Sequence, residues 1–128
     1  MTSEKRVAEL RKWRAVHDAV QQGRVELLDF FVDVAGLDVN AREPKRRRTP
    51  LIAAAELNNV DAVRRLLALN ADARHKDGNY RTALEWALKK DFEDVVEALA
   101  TCSNDRDEVL LEAAGLKCPK SVRRLVEL

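Results

Sequence analysis

Glycine, cysteine and aromatic residues are scarce in this chain of 128 residues, and each scarcity excludes a class of protein. The four glycines are scattered, so the sequence has no glycine-rich loop of the phosphate-binding kind. Two cysteines are too few for a disulfide-stapled secreted module. With aromatic residues at 5% and charged residues at 35%, the composition favours short amphipathic helices over a sheet sandwich.

Long apolar runs are also absent. No stretch approaches the ~20 apolar residues of a membrane-spanning helix. The N-terminal sequence Met-Thr-Ser-Glu-Lys-Arg lacks the apolar region of a signal peptide. We therefore expect an intracellular protein with reduced thiols and no membrane partner, in the cytoplasm or alternatively in the nucleus.

The net charge is only +1, but the charged residues are distributed unevenly. Residues 1–48 carry 11 Lys and Arg against 8 Asp and Glu, whereas residues 82–128 carry 7 against 10. The chain is therefore basic toward its N-terminal end and acidic toward its C-terminal end. The near-neutral total gives no support to a nucleic-acid or membrane partner.

One segment of the sequence recurs at a distance of 33 residues. Residues 49–55 read Thr-Pro-Leu-Ile-Ala-Ala-Ala, and residues 82–88 read Thr-Ala-Leu-Glu-Trp-Ala-Leu. Each copy is followed at the same offset by a second apolar stripe, which predicts paired helices stacked side by side. In the first copy, Thr49 is a good N-cap and Pro50 suits the first helical position. Arrays of this kind usually bind other molecules and seldom catalyse reactions.

These residues resemble the ankyrin repeat, whose pattern is Thr-Pro-Leu-His-x-Ala-Ala, a glycine-containing turn, a Val-x-x-Leu-Leu helix and Gly-Ala-Asp-Val-Asn-Ala. The match is carried by residues 49–55, 66–67, 70–73 and 39–41. The resemblance implies an all-α fold, an ankyrin-repeat solenoid of helix-turn-helix units with short hairpin-like loops. We expect a single domain over residues 1–128. Its repeats span about 12–43, 44–76 and 77–105, followed by a C-terminal capping helix pair at 106–128, and its N-terminal helix is extended from residue 3.

The chain departs from the family pattern at three places. Arg47 and Tyr80 stand where the family has a loop glycine, which predicts non-standard turns. The motif histidine is kept only as His17. Repeat one needs two extra residues to reach the register of Thr49, which predicts a distorted or lengthened loop.

The resemblance also implies that hairpin tips and the ends of the first helices line a concave groove. Basic residues dominate the positions that this arrangement places there, so we expect an acidic partner. The candidate partner-binding residues are Arg46, Arg47, Arg48, Lys45, Tyr80, Arg81, Lys76, Leu57, Lys89 and Lys90. Tyr80 and residues 46–48 are the first choices as main contacts, since interfaces depend most on buried aromatics and arginine. The alternatives are that Leu57 packs on the next repeat and that Tyr80 covers its own loop.

The basic run Lys45-Arg46-Arg47-Arg48 has four interpretations. It can pair with carboxylates of an acidic protein segment, act as a nuclear import signal, contact nucleic-acid phosphates, or be a solvated loop. Nucleic acid is the weakest of the three functional interpretations, because few aromatics accompany the run. Reversing the charges of Arg46, Arg47 and Arg48 is expected to abolish partner binding with little loss of stability.

Residues with the right spacing for catalysis or metal binding are missing from the sequence. His17 and His75 lie two repeats apart, and Cys102 and Cys118 lie near the other end, which is not zinc-site spacing. We expect no catalytic residues, no metal and no cofactor. Trp86 replaces a residue that is small or Leu in the family, and we expect it in the core.

The sequence therefore predicts a non-catalytic protein–protein interaction module, monomeric alone, that binds an acidic partner segment through its tips and groove. Two alternatives remain open. One is a nucleic-acid-binding or nuclear accessory factor that uses the basic loop 45–48. The other is a structural subunit that docks by its terminal helices.

Overall fold

A computed structural model describes residues 13–103 together with residues 122, 123 and 126. This part of the chain contains helices and no strand, so the all-α prediction is confirmed. The expected start of the first helix at residue 3 lies outside the described residues, as does almost all of the expected capping pair at 106–128. The described part of the first helix, α1, is residues 13–21. The helices that follow are α2 at Val25–Asp29, which continues as a π-helical turn at Phe30–Val34, α3 at Pro50–Glu56, α4 at Val60–Ala68, α5 at Ala83–Lys89 and α6 at Glu93–Ser103.

Threonine caps start the first helix of the second and third repeats. The Oγ1 atom of Thr49 accepts a hydrogen bond from the backbone N–H of Ile52 at 3.3 Å, and Pro50 follows at the first helical position. Thr82 repeats this cap by accepting from the N–H of Glu85 at 3.2 Å. Such a cap contributes about 1 kcal/mol to helix stability. The helix starts predicted from the repeated motif are confirmed.

The helices form two layers. In one layer α3 packs against α5, and in the other α4 packs against both α2 and α6. Small side chains let the layers approach closely, because Ala53, Ala54 and Ala55 are buried at the centre of the stack. The larger core side chains that surround them are Leu28, Leu51, Ile52, Leu66 and Leu88.

Hydrogen bonds between repeats hold the loops in register. The side-chain Oδ1 of Asn40 accepts from the backbone N–H of Asp72 at 2.9 Å. At the hairpin tips, the N–H of Gly78 donates to the carbonyl oxygen of Arg46 at 2.7 Å. A Cβ atom at residue 78 would lie 3.1 Å from that same oxygen, so the close approach of the two tips favours glycine.

The two extra residues of repeat one lie in different places. Gly23 and Gly36 have positive φ angles and flank the second helix of repeat one. They are one residue further apart than Asn58 and Asn70, the positive-φ residues that flank α4. The π-helical turn Phe30–Val34 accommodates this residue through the longer bond from the N–H of Ala35 to the carbonyl of Phe30, at 3.0 Å.

The second extra residue lies in the first hairpin tip. That turn is closed by the N–H of Glu43 donating to the carbonyl of Arg48 at 3.0 Å, whereas the second turn is closed by Asp77 and Arg81 at 2.9 Å. The first turn is therefore one residue longer. A lengthened loop accounts for only half of the insertion, and the helix absorbs the other half.

Arg47 and Tyr80 both adopt positive φ angles, of 57° and 61°. This left-handed conformation is one that glycine forms without steric cost. Replacement of the family glycine has therefore changed the side chain and the strain of each turn, while the backbone stays in a conformation that glycine favours.

His17 links the first repeat to the next loop and makes stability depend on pH. Its ring is buried, and Nε2 lies 2.8 Å from the carbonyl oxygen of Ala41. Burial lowers the pKa of His17 below 6.5, against the opposing effects of the Ala41 hydrogen bond and of Glu43. The unfolded chain therefore binds a proton more readily than the folded protein, and stability is lost as the pH falls below 6.5.

We expect the free energy of unfolding to fall between about pH 7.5 and about pH 5.5, with a slope of at most about 1.4 kcal/mol per pH unit, because His17 accounts for at most one proton. Urea denaturation at the two pH values measures the difference. His17→Gln keeps a hydrogen-bond donor but cannot titrate, so this variant is expected to lose the pH dependence. His75→Gln is the matched control and should retain it. Equal pH slopes in wild type and His17→Gln would contradict the assignment.

Candidate functional site

A buried carboxylate organises each hairpin tip. Glu43 accepts hydrogen bonds from the backbone N–H groups of Lys45 at 3.0 Å and Arg46 at 2.5 Å. Asp77 holds the second tip, where its Oδ1 accepts from the N–H groups of Asn79 at 2.8 Å and Arg81 at 3.0 Å. These bonds fix the direction in which the tip side chains leave the backbone.

The ionised form of both carboxylates is favoured. Burial raises the pKa of Glu43, but the hydrogen bonds from Arg46 and Lys45 and the nearby Arg48 charge outweigh burial and lower it overall. Burial likewise raises the pKa of Asp77, and its bonds from Arg81, Trp86 and Asn79 lower it overall. Sequence reasoning named neither Glu43 nor Asp77 as a candidate site residue. The available signal was an acid five or six residues before each capping threonine.

Arg48 is part of the internal structure of the first tip. Its Nη1 lies 2.6 Å from Oε2 of Glu56, and its Nε lies 3.6 Å from Oε1 of Glu43. Only 18% of its side chain is exposed. The structure therefore does not support Arg48 as an accessible contact residue. Its two ion pairs weigh against the expectation that its charge can be reversed with little loss of stability, because the reversal would place three carboxylates together.

The remaining basic residues of the tips face solvent. Arg46 is 67% exposed and has only a long ion pair with Glu56, at 3.8 Å. Lys45, Arg47 and Lys76 are exposed, and none forms an ion pair within the described part of the chain. Together with Tyr80, these residues form a surface that we name the tip surface: Lys45, Arg46, Arg47, Lys76 and Tyr80.

Tyr80 and Leu57 are exposed apolar residues on this side of the molecule. Tyr80 is 80% exposed and Leu57 is 53% exposed. Tyr80 therefore does not cover its own loop, and Leu57 is not buried against the next repeat. Exposure makes both available to a partner, while their use as contacts stays a prediction.

The left-handed backbone at Tyr80 adds a second observation. A non-glycine residue in this conformation costs about 1–2 kcal/mol. The fold gains no packing in return, because the ring is in solvent. Backbone strain at an exposed position is a reason to expect that the residue serves a function rather than the stability of the fold.

Trp86 lies half-buried behind the second tip, between core and surface. Its indole Nε1 donates to Oδ2 of Asp77 at 2.7 Å. Three cations surround the ring centroid, the guanidinium of Arg81 at 5.1 Å, Nζ of Lys89 at 5.5 Å and Nζ of Lys90 at 5.9 Å. The expected core position is thus only partly realised. We name Trp86, Arg81, Lys89 and Lys90 the groove cluster.

The tip surface and the groove cluster are brought to the same side of the stack. Asp77 is common to both, since it holds the second tip and the ring of Trp86. Nζ of Lys90 also lies 3.5 Å from the backbone carbonyl of Glu56, the residue before Leu57. Of the ten candidate residues, nine therefore belong to or adjoin one basic face, and Arg48 lies inside it.

The sequence comparison identifies the family. Residues 16–109 match the family model described as ankyrin repeats in three copies. The chain belongs to the ankyrin-repeat family. Ankyrin repeats generally mediate protein–protein interactions and are typically non-catalytic.

One similar protein shows how limited the shared segment is. The ankyrin-repeat chain is 29% identical over 106 residues to the ARF GTPase-activating protein Git of Drosophila melanogaster. The similarity covers 83% of this chain but only 14% of that protein.

The described residues offer neither a metal site nor a membrane-spanning helix. Residues 13–103 and the three described C-terminal positions contain no group of three His, Cys, Asp or Glu side chains that could hold a metal ion. Within the same residues, the helices are too short or too polar to cross a bilayer.

Proposed function

We propose that this ankyrin-repeat protein is a non-catalytic module that binds an acidic segment of a partner protein through the tip surface and groove cluster. We further propose that the protein acts as a monomer, in the cytoplasm or the nucleus. One observation carries it: Tyr80 is exposed and has a left-handed backbone at the second tip. Lys76 is exposed at the same tip, and Arg47 is exposed at the first tip, which the Gly78–Arg46 hydrogen bond joins to the second.

The charges on this face support an acidic partner. Two acids on this side of the molecule are occupied internally: Glu56 pairs with Arg48, and Asp77 binds backbone and indole N–H groups. The charged residues of the tip surface and the groove cluster are all lysine or arginine. A surface with one sign of charge attracts a partner of the opposite sign and accelerates association.

The arrangement of the basic loop weighs against the import-signal and nucleic-acid alternatives, which depend on a run of four free cations. Arg48 is turned into the structure and paired with two carboxylates. The loop therefore presents Lys45, Arg46 and Arg47 on a backbone fixed by Glu43. A rigid presentation of this kind suits docking to a protein surface better than an extended import signal.

Affinity capture with a revised variant tests the proposal. We expect Arg47→Glu combined with Tyr80→Gly to weaken recovery of the partner at least about 30-fold, corresponding to a hot-spot loss of ~2 kcal/mol. Arg64→Glu is the control for charge, since Arg64 is exposed on α4. Mass spectrometry identifies proteins lost only with the tip variant. Identical recovery by all three baits would reject the tip surface as the binding site.

Tyr80→Gly alone separates binding from folding. Because glycine relieves the left-handed strain, this variant is expected to gain about 1 kcal/mol in stability while it loses affinity. Chemical denaturation gives the first quantity and the capture experiment gives the second. Loss of stability in Tyr80→Gly would show that the tyrosine serves the fold instead.

A further inference from the structure

We infer that the groove cluster is a seat for one carboxylate side chain of the partner segment, with Trp86 as its floor and Arg81, Lys89 and Lys90 as its cationic rim. This inference rests on the proposed function, because it specifies how part of the same face recognises an acidic peptide. It concerns a different set of residues from the tip surface and can fail independently.

The floor of the seat is held rigidly. Trp86 is packed against the core on one side, and its indole N–H is bound to Asp77. Asp77 is itself buried and bound to two backbone N–H groups of the second tip. The ring therefore has a fixed orientation before any ligand arrives, which reduces the entropy lost on binding.

The rim carries more positive charge than its surroundings balance. Three cations lie within 6 Å of one ring centroid. In the described part of the chain, none of the three forms an ion pair with a carboxylate. Asp77 lies beside Arg81, but both of its oxygens accept N–H groups beneath the surface. The ring attracts each cation, and the three unpaired positive charges around it together favour an added anion.

The chemistry of the cluster fits a carboxylate of a peptide. Arg81 offers a planar donor fork, and carboxylates accept such a fork through two oxygens. Lys89 and Lys90 are exposed at the end of α5 and supply mobile point charges. Leu57 adjoins through the Lys90–Glu56 contact and offers an apolar surface for the neighbouring residue of an extended segment. A nucleic acid would need further stacking platforms, and Trp86 is half-covered by the core.

Fluorescence of Trp86 tests the seat directly. In a Trp13→Phe background, Trp86 is the sole tryptophan. We expect a hexaglutamate peptide to change its emission saturably, and hexaglutamine to leave it unchanged. Lys89→Gln/Lys90→Gln should weaken hexaglutamate binding at least 10-fold. Arg24→Gln/Arg64→Gln removes the same charge from exposed positions outside both surfaces and should weaken hexaglutamate binding no more than about threefold, through long-range attraction alone.

The other outcomes overturn the inference in distinguishable ways. Equal weakening by the two double variants would mean general charge attraction without a seat, and the tip-surface proposal would survive. Tighter binding of oligothymidylate than of hexaglutamate would assign the cluster to nucleic acid. No response to hexaglutamate, combined with normal capture of the partner, would reject the carboxylate seat while leaving the binding module intact.

Discussion

Arg48→Glu is expected to lower the free energy of unfolding by about 3 kcal/mol, the usual cost of removing one partner from a largely buried ion pair. The side chain bridges Glu56 at 2.6 Å and Glu43 at 3.6 Å. Glutamate at this position would remove the cation that Glu43 and Glu56 share, leave Glu56 with only its long ion pair to Arg46 at 3.8 Å, and add a third negative charge. Glu43 would then be less able to hold the backbone of the first tip.

The neighbouring residue provides the control. Arg47→Glu makes the same change of charge on an exposed side chain, and surface substitutions of this kind usually change stability by less than about 0.5 kcal/mol. Urea denaturation of both variants measures the contrast. Similar midpoints for the two variants would refute the internal role of Arg48 and restore it to the list of accessible contacts.

Asp77→Ala is the second substitution with a large expected effect, a loss of about 3 kcal/mol. The change removes the acceptor for the N–H groups of Asn79, Arg81 and the Trp86 indole. A buried donor left without an acceptor costs about 1–3 kcal/mol, and part of the total is recovered where water reaches the tip. The ring of Trp86 also loses its fixed orientation, so its emission should shift.

Asp72→Ala is the comparison for Asp77→Ala, because the Asp72 carboxylate caps the N–H of Arg74 in an exposed turn. It is expected to cost less than about 1 kcal/mol. Acid adds a further check. The pKa of Asp77 is lowered on folding, so its contribution is present above its ordinary pKa of 3.8 and is lost as the pH falls through the lower folded value. The difference between wild type and Asp77→Ala should therefore shrink in strong acid. A difference independent of pH would contradict an electrostatic role.

The helical framework could be derived from the sequence because its determinants are local. Thr49 and Thr82 cap helices where the motif predicts them. Asn58 takes the left-handed conformation at the turn into α4. Period and capping chemistry act within a few residues, so they can be read without knowledge of distant contacts.

The candidate site could be derived only in part, because adjacent residues of the same type differ in exposure and in their partners. In the basic run, Arg47 is solvent-exposed and Arg48 is bound by Glu43 and Glu56. The difference depends on the left-handed backbone at residue 47 and on a carboxylate eight residues further along the chain, in α3. The spacing of residues in the sequence predicts neither the left-handed backbone nor the ion pair with that carboxylate. Trp86 was missed as a member of the site for a similar reason, since its indole is held beside the second tip by a bond to Asp77 that the spacing of the sequence does not predict.

The burial of α3 determines where this protein can change. Six of its seven residues are buried, and the seventh, Glu56, is bound to Arg48. The central helix thus has almost no freedom to vary, whereas the exposed positions of the tips and the end of α5 make few contacts with the rest of the fold. Evolution toward a different partner would substitute these exposed residues one at a time, and each intermediate would still fold. The same positions are those at which a randomised library would retain the scaffold.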